Sequence, residues 1–136
     1  MQYKELTLEK LQKDLLWVFR FLYLQDFQLI EYGANERCLT ARYFAYIQNK
    51  ILNDSDYDGL VFDPEYNRKG MRGEIKDMGD DNNIIPDIVL HKRGNDTANI
   101  LVIEFKKSKG AARRKNDFRK LSYMTGPAYS YRYGLY

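Results

Sequence analysis

Two β-branched apolar runs joined by a short loop constrain the fold of this chain more than any other feature. The first run, residues 87–92, begins at Asp87, and the second, residues 99–106, contains Glu104 near its end. The loop between them is rich in glycine, asparagine and aspartate, which is typical of a hairpin. The pattern predicts two neighbouring antiparallel strands, each carrying one acidic residue.

The alternation of side chains along these strands brings charged groups onto shared faces. Glu104 and Lys106 are two residues apart, so they point to the same side of their strand. By the same parity Asp87 and His91 point together, and antiparallel pairing sets the Asp87 face beside the Glu104 face. We therefore expect two carboxylates and one ammonium group to converge at the edge of the sheet.

Two carboxylates beside an ammonium group suit a divalent metal ion and a phosphate. Rigidly held oxygen ligands bind Mg²⁺ or Mn²⁺ and leave coordination positions open for water and a phosphate. Asp87 and Glu104 would bind the metal, and Lys106 would position or activate the attacking water. A solvated strand end is the alternative, since residues 74–76 repeat the acid-x-lysine spacing in a polar stretch. The coupling to Asp87 favours a site for metal-assisted phosphodiester hydrolysis.

A third acid, Glu36, is expected to support this site. Residues 35–52 have the pattern of a helix, and Asn35 is suited to its N-cap. At about 100° per residue, Glu36 falls on the apolar stripe of that helix. That stripe consists of Leu39, Tyr43, Ile47 and Ile51. Glu36 either serves the site or simply favours the dipole of the first helical turn, and the pattern leaves both open.

The order of these motifs resembles that of the PD-(D/E)xK nuclease superfamily. Members carry a glutamate on a helix, then an aspartate and a Glu-x-Lys on strands, as Glu36, Asp87, Glu104 and Lys106 do here. The resemblance covers about residues 34–136. It implies the α/β restriction-endonuclease-like fold, with a mixed four-stranded sheet flanked by helices in the order αβββαβ and an extra N-terminal helix.

The resemblance also implies an activity. It implies a metal-dependent nuclease that hydrolyses phosphodiester bonds to a 5′-phosphate and a 3′-hydroxyl, with Mg²⁺ or Mn²⁺ as cofactor. Glu36, Asp87, Glu104 and Lys106 would be the catalytic residues, and the three acids among them would bind the metal. The substrate would be nucleic acid, with DNA favoured over RNA.

Two further residues are auxiliary candidates near the predicted strands. Glu65 would be an extra ligand or would support one, although Asp63-Pro64 is also typical of a turn and favours a structural role. His91 is the only histidine, and it would carry a proton or contact a phosphate. A lone histidine on a strand is more often a packing residue with one hydrogen bond.

A basic block follows the Glu-x-Lys motif. Residues 106–120 hold eight Lys or Arg and one acid, which gives this stretch a charge of +7 within a chain of net charge +3. Such a block would bind a polyanion by neutralising its phosphates. The alternative is a solvated helix surface. The candidate substrate-binding residues are Lys107, Lys109, Arg113, Arg114 and Lys120.

Length and composition suit one domain over residues 1–136. The chain is 44% apolar and 30% charged, which excludes disordered and fibrous classes. Strands are predicted over residues 59–66, 85–92, 99–106 and 129–136, the last from alternating tyrosines. A helix is predicted over residues 7–24, with a broad apolar face that packs on the domain or on a second copy as a homodimer. Neither a signal peptide nor a membrane span is expected, so the predicted location is the cytoplasm.

A rival function keeps the same fold without the reaction. In that alternative the chain is a catalytically inactive nuclease-fold domain that binds nucleic acid or another protein. An acid-acid-lysine set argues against it, because a pure binding module has no need of carboxylates that face a phosphate. Metal dependence separates the two functions, since a binder responds to salt and ignores Mg²⁺.

Overall fold

The computed structural model describes residues 5–66, 68–69, 74–75, 85–94, 96–106 and 111–136. The chain divides into two compact units, Met1–Gly59 and Leu60–Tyr136. The single domain expected over residues 1–136 stays a prediction, and each unit is described by itself. No helix among the described residues is both long and apolar enough to cross a bilayer.

The first unit is helical. Helix α1 (Leu8–Gln25) leads through α2 (Phe27–Glu31) to α3 (Glu36–Ile51), and a short 3₁₀ helix follows at Ser55–Tyr57. The sequence placed the first of these helices at residues 7–24 and the Glu36 helix at residues 35–52. Thr7 and Asn35 begin the two long helices, because each side chain accepts a hydrogen bond from a backbone N–H three residues on, at 3.2 and 2.8 Å.

Helices α1 and α3 pack through their apolar faces. Leu11, Leu15, Val18 and Leu22 of α1 are buried, and so are Tyr43, Ile47 and Ile51 of α3. The hydroxyl of Tyr43 donates to the carbonyl of Leu15 at 3.0 Å. The predicted stripe of α3 is thus confirmed at its last three positions, while Leu39 and Glu36 at its beginning are half-buried.

Buried acids in this unit are paired. Asp26 accepts two hydrogen bonds from the guanidinium of Arg42 and one from the Tyr46 hydroxyl. Because Arg42 donates to it, the pKa of Asp26 is lowered. Asp14 accepts from Lys10 and from Tyr57, whose hydroxyl lies 2.8 Å away. These contacts satisfy carboxylates that would otherwise be costly to bury.

The second unit contains a four-stranded mixed sheet, as the sequence predicted. Its strands are β1 (Val61–Pro64), β4 (Ile88–His91), β5 (Asn99–Ile103) and β6 (Tyr133–Leu135), in that spatial order. The first three pair antiparallel as a meander, and β6 runs parallel to β5 after the crossover helix α4 (Ala111–Met124). A separate two-stranded ribbon of β2 (Arg68–Lys69) and β3 (Glu74–Ile75) was not predicted.

One face of the sheet is covered by α4. Val89 of β4 lies opposite Val102 of β5, and both pack in a buried cluster with Leu121 and Met124 of α4. Asp63 of β1 is the neighbour of Val89 on the other side. Since cross-strand neighbours share a face, the side chains of Asp63, Val89 and Val102 all point towards α4.

The last strand differs from its prediction. The alternation of tyrosines indicated a strand over residues 129–136, but only Tyr133–Leu135 is extended in the sheet. Ser130 has a φ of +55°, which breaks the strand alternation, and its N–H donates to the carbonyl of Gly126 at 2.9 Å. Tyr129 and Tyr131 are nevertheless buried, since they pack in the α4 cluster from a turn. The spacing of these tyrosines therefore indicated correctly that their side chains are buried, but the strand that it predicted for residues 129–132 is wrong.

Candidate functional site

Asp87 and Glu104 lie at the same end of the β4–β5 pair. Ile88, the first residue of β4, is paired with Ile103, the last residue of β5, so the two acids are the next residues outward. A carboxylate oxygen of Asp87 accepts a hydrogen bond from the backbone N–H of Phe105 at 2.7 Å. The N–H of Glu104 donates to the carbonyl of Leu135 at 2.9 Å. Backbone contacts on both sides therefore fix this pair of acids.

Glu104 is the most buried acid of the site. It is 3% exposed, and burial raises its pKa to about 8. Within this net shift the nearby carboxylates of Asp87 and Asp117 act in the same direction as burial, while the ammonium of Lys120 opposes it. Oε2 of Glu104 accepts from Lys120 at 3.1 Å, and Oε1 is buried without a hydrogen-bond partner among the described residues.

Two lysines and two acids alternate beside the strand ends. Lys106 Nζ lies 3.1 Å from Oδ2 of Asp117, an ion pair that lacks the alignment of a hydrogen bond. Lys120 Nζ lies 3.7 Å from Oδ1 of Asp117 in addition to its contact with Glu104. Asp117 is thus placed between both ammonium groups and holds them near the buried glutamate.

Asp117 is a site residue that sequence reasoning did not assign. Asp117 is spaced to share one helical face with Lys120, Leu121 and Met124, and Asp117, Leu121 and Met124 are buried in the structure. A lone acid within a basic block on the apolar side of a helix was the available signal. The expectation that the Lys106 ammonium lies with the two strand acids left out Asp117, its ion-pair partner on α4.

Glu65 follows β1, and its backbone extends the pairing of β1 with β4 by one hydrogen bond to Asp87. Its N–H donates to the carbonyl of Asp87 at 3.0 Å, and its own side chain is exposed. The φ of Glu65 is +48°, in the left-handed region that non-glycine residues rarely adopt. The structure therefore brings Glu65 next to Asp87 through its backbone, and its proposed role as a ligand stays a prediction.

His91 lies at the other end of β4, in a buried polar pair. Its Nε2 is 2.8 Å from a carboxylate oxygen of Asp63, and the Tyr66 ring packs edge-on against the imidazole at 4.3 Å between centroids. Burial raises the pKa of Asp63, but hydrogen bonds from Arg93 and His91 outweigh it and leave the pKa lowered. This is the environment of a packing residue, the alternative that the sequence favoured, and the auxiliary role of His91 stays a prediction.

The structure gives less information on the remaining candidate residues. Glu36 belongs to the first unit and is half-buried at the beginning of α3, so its expected share in the site stays a prediction. Arg113 and Arg114 lie in the first turn of α4, where the backbone alone is described. Lys107 and Lys109 lie outside the described residues.

The carboxylates fit a hard divalent cation with few protein ligands. Among the described residues, no group of three or more His, Cys, Asp or Glu side chains is arranged to hold a metal. Mg²⁺, however, is commonly held by one or two carboxylates, with waters and substrate phosphates completing the coordination. Asp87 and Glu104 supply two carboxylates, and no described residue hydrogen-bonds to the buried Oε1 of Glu104. The donor set is therefore compatible with Mg²⁺ or Mn²⁺.

Comparison of the chain with protein-family models, with curated proteins and with solved structures finds no match.

Proposed function

We propose that this chain is a PD-(D/E)xK-type nuclease that hydrolyses phosphodiester bonds in nucleic acid with Mg²⁺ or Mn²⁺. The proposal rests above all on the meeting of Asp87 and Glu104 at one end of the β4–β5 pair, where one buried oxygen of Glu104 has no hydrogen bond from the part of the chain that the structure describes. A buried carboxylate oxygen with no partner is costly unless a cation or water satisfies it.

The residues of the chain have distinct roles in this proposal. Asp87 and Glu104 hold the metal. Asp87 is oriented by the Phe105 N–H, and Glu104 is held by the backbone of β6. A metal bound there lowers the pKa of a water molecule and offsets the charge that develops on the phosphate.

Lys106 positions the attacking water or stabilises the charged phosphate as a fixed cation. Its ion pair with Asp117 restrains the ammonium group beside the strand ends. The nucleic-acid backbone is bound by Lys107, Lys109, Arg113, Arg114 and Lys120, and DNA is the favoured substrate. A set of fixed charges of this kind costs no reorganisation during the reaction.

A non-catalytic binding module is the second candidate, and one observation favours it. Lys106 and Lys120 both form ion pairs with acids of the site, so the cluster is nearly neutralised internally. In that case the acids would stabilise the fold, and the basic block would bind nucleic acid without hydrolysis. The response of the protein to metal ions separates this function from the nuclease.

The test is thermal unfolding of wild type and of the isosteric Asp87→Asn, Glu104→Gln double variant across Mn²⁺ and Mg²⁺ titrations. Metal that binds only the folded state raises the melting temperature. At a free metal concentration a hundredfold above Kd, the folded state is stabilised by about 2.7 kcal/mol. We expect this rise in wild type and in Asp58→Asn, which removes an exposed carboxylate elsewhere, and its loss in the double variant. Cleavage of a DNA substrate should follow the same pattern.

Two results would count against the nuclease. An equal rise in melting temperature with metal in wild type and in the double variant would show that Asp87 and Glu104 are not metal ligands. A wild type that binds DNA with the usual salt dependence but ignores both metals would support the binding module instead.

A further inference from the structure

Lys120 already places a cation against the acid proposed to bind metal. Its Nζ donates to Oε2 of Glu104 at 3.1 Å and lies 3.7 Å from Oδ1 of Asp117. The side chain of Lys120 is 18% exposed, whereas that of Glu104 is 2% exposed. The lysine is therefore partly exposed, and its ammonium group lies against a buried carboxyl group.

An ammonium group and a divalent ion on the same carboxylate repel each other. Two positive charges a few ångströms apart interact unfavourably, and the repulsion is strongest where water is excluded. Glu104 is fixed by its strand, but Lys120 has a flexible four-carbon stem that reaches solvent. If a cation binds Glu104, the group that moves is thus the ammonium of Lys120.

The alternating charges explain why Lys120 and not Lys106 would respond. Lys106 pairs with Oδ2 of Asp117 at 3.1 Å, whereas Lys120 makes the direct contact with Glu104. Asp117 is 3.7 Å from the Lys120 ammonium and Glu104 is 3.1 Å away, so Glu104 is the nearer partner of this lysine. Loss of the Glu104 contact would release Lys120 while Lys106 keeps its partner.

We propose that Lys120 is an exchangeable cation, which contacts Glu104 in the metal-free protein and, when a metal ion replaces both this contact and the carboxyl proton, is released to a phosphate of the nucleic acid. The inference rests on the proposed nuclease function and adds that the binding of the metal ion and the binding of the nucleic acid are coupled. Metal binding creates a free cation for the backbone of the substrate, and phosphate binding to Lys120 in turn favours metal. Such coupling is reciprocal by thermodynamic necessity.

The test uses Lys120→Gln, with Lys115→Gln as the matched control. Lys115 is exposed on the same helix, and its substitution removes the same charge. Mn²⁺ binding to protein alone is measured by titration calorimetry above pH 8, where Glu104 is ionised, and Lys120→Arg serves as a variant that keeps the charge. We expect Lys120→Gln to bind Mn²⁺ at least about fivefold more tightly than wild type, the lower end of typical coupling between sites. Lys115→Gln and Lys120→Arg should stay close to wild type.

The second measurement is the binding of a phosphorothioate DNA duplex, which keeps the phosphate charges and resists hydrolysis, by fluorescence anisotropy with and without Mn²⁺. Lys120→Gln should bind the duplex more weakly in Mn²⁺, with a salt slope smaller by about 1. The gain in DNA affinity on adding Mn²⁺ should also shrink in this variant. Lys115→Gln should keep the wild-type gain. A merely structural Lys120 would not shift the two affinities in opposite directions.

Each contrary result has its own meaning. Mn²⁺ affinity that is unchanged or weaker in Lys120→Gln overturns the exchange, while the metal site itself stands. Tighter Mn²⁺ binding with an undiminished effect of Mn²⁺ on DNA binding overturns the release to phosphate. A wild type that binds no Mn²⁺ overturns the proposed nuclease and this inference together. If Lys120→Gln does not fold, Mn²⁺ affinity in Lys120→Arg that departs from wild type by more than about fivefold overturns the exchange.

Discussion

Glu104 shows how a single residue can be both costly to the fold and useful to a site. A carboxylic acid that is 3% exposed keeps its proton to a pH of about 8, because burial penalises the charged form. One cation, Lys120, contacts it, while two carboxylates act in the opposite direction. Perturbed acids with a specific partner are concentrated at functional sites, which agrees with the role proposed for this one.

The stability of the protein should therefore fall as the pH rises through the range that Glu104 controls. Its pKa in the folded state is about 8, and the ordinary value is 4.5. Below 4.5 the acid is protonated in both states, so its contribution is fully present. Between 4.5 and 8 the unfolded chain releases the proton and the folded chain retains it, so stability is lost with rising pH, at most by about 1.4 kcal/mol per pH unit.

Glu104→Gln should remove this decline, because glutamine cannot ionise. Urea unfolding of wild type and variant, measured without metal from below pH 4.5 to above pH 8, gives the two free energies of unfolding. We expect the variant to gain on wild type as the pH rises, and Asp58→Asn to follow wild type. Parallel curves for Glu104→Gln and wild type would contradict a raised pKa at Glu104.

At the scale of elements, the ends of helices and strands carry the informative residues. Asp87 precedes β4, Glu104 follows β5, and Lys120 and Asp117 lie on α4, so three elements contribute to the candidate site. Sites built on regular elements hold their side chains more rigidly than sites on loops. In α3 the N-cap Asn35 sets the residue at which the helix begins, and Glu36 is the first residue of that helix.

Asn35→Ala should destabilise α3 at its beginning. The Asn35 side chain accepts from the Cys38 N–H at 2.8 Å, and its removal leaves that donor without the cap. The expected loss is about 0.5–2 kcal/mol in the free energy of unfolding measured by urea. Asn35→Asp keeps the acceptor and should stay near wild type. A loss of similar size in both variants would mean that the cap contributes little.

At the scale of the whole molecule, an exposed apolar stripe on the first unit offers a surface through which the chain could bind a partner. At about 100° per residue, four exposed side chains of α1 fall on one side of the helix. Tyr23 contacts the ring of Phe27 at 5.4 Å, so the stripe continues onto α2. The stripe consists of Leu8, Leu16, Phe19, Tyr23, Phe27 and Ile30.

We propose a second copy of the chain as the partner of this stripe. Six side chains that are about half exposed offer on the order of 500 Å² per copy, so a pair would bury close to the minimum for a specific interface. Glu9 and Arg20 flank the same edge of the stripe. An antiparallel two-fold pairing of α1 would bring Glu9 of one copy near Arg20 of the other.

Phe19→Arg should abolish this homodimer, because it places a charge in the middle of the stripe. Light scattering coupled to size exclusion should show a dimer for wild type and a monomer for Phe19→Arg. Leu52→Arg, at a 72% exposed position outside the stripe, is the control and should remain dimeric. A wild type that is monomeric up to millimolar concentration would show that two copies do not associate through this stripe.

The sequence by itself determined the features that depend on neighbouring residues. The hairpin of β4 and β5 and the N-cap at Asn35 follow from alternation and capping, which are local rules. The same rules put Asp87 and Glu104 at one end of the strand pair, because the register of a short hairpin is set within a few residues.

Only the tertiary structure decided which charges meet across elements. Asp117 and Lys120 lie more than ten residues from Glu104 in the chain, and the packing of α4 on the sheet brings them together. The same packing buries Tyr129 and Tyr131 from a turn, where local alternation indicated a strand. Contacts of this kind depend on how whole elements dock, and side-chain periodicity in one segment carries no information about its partner.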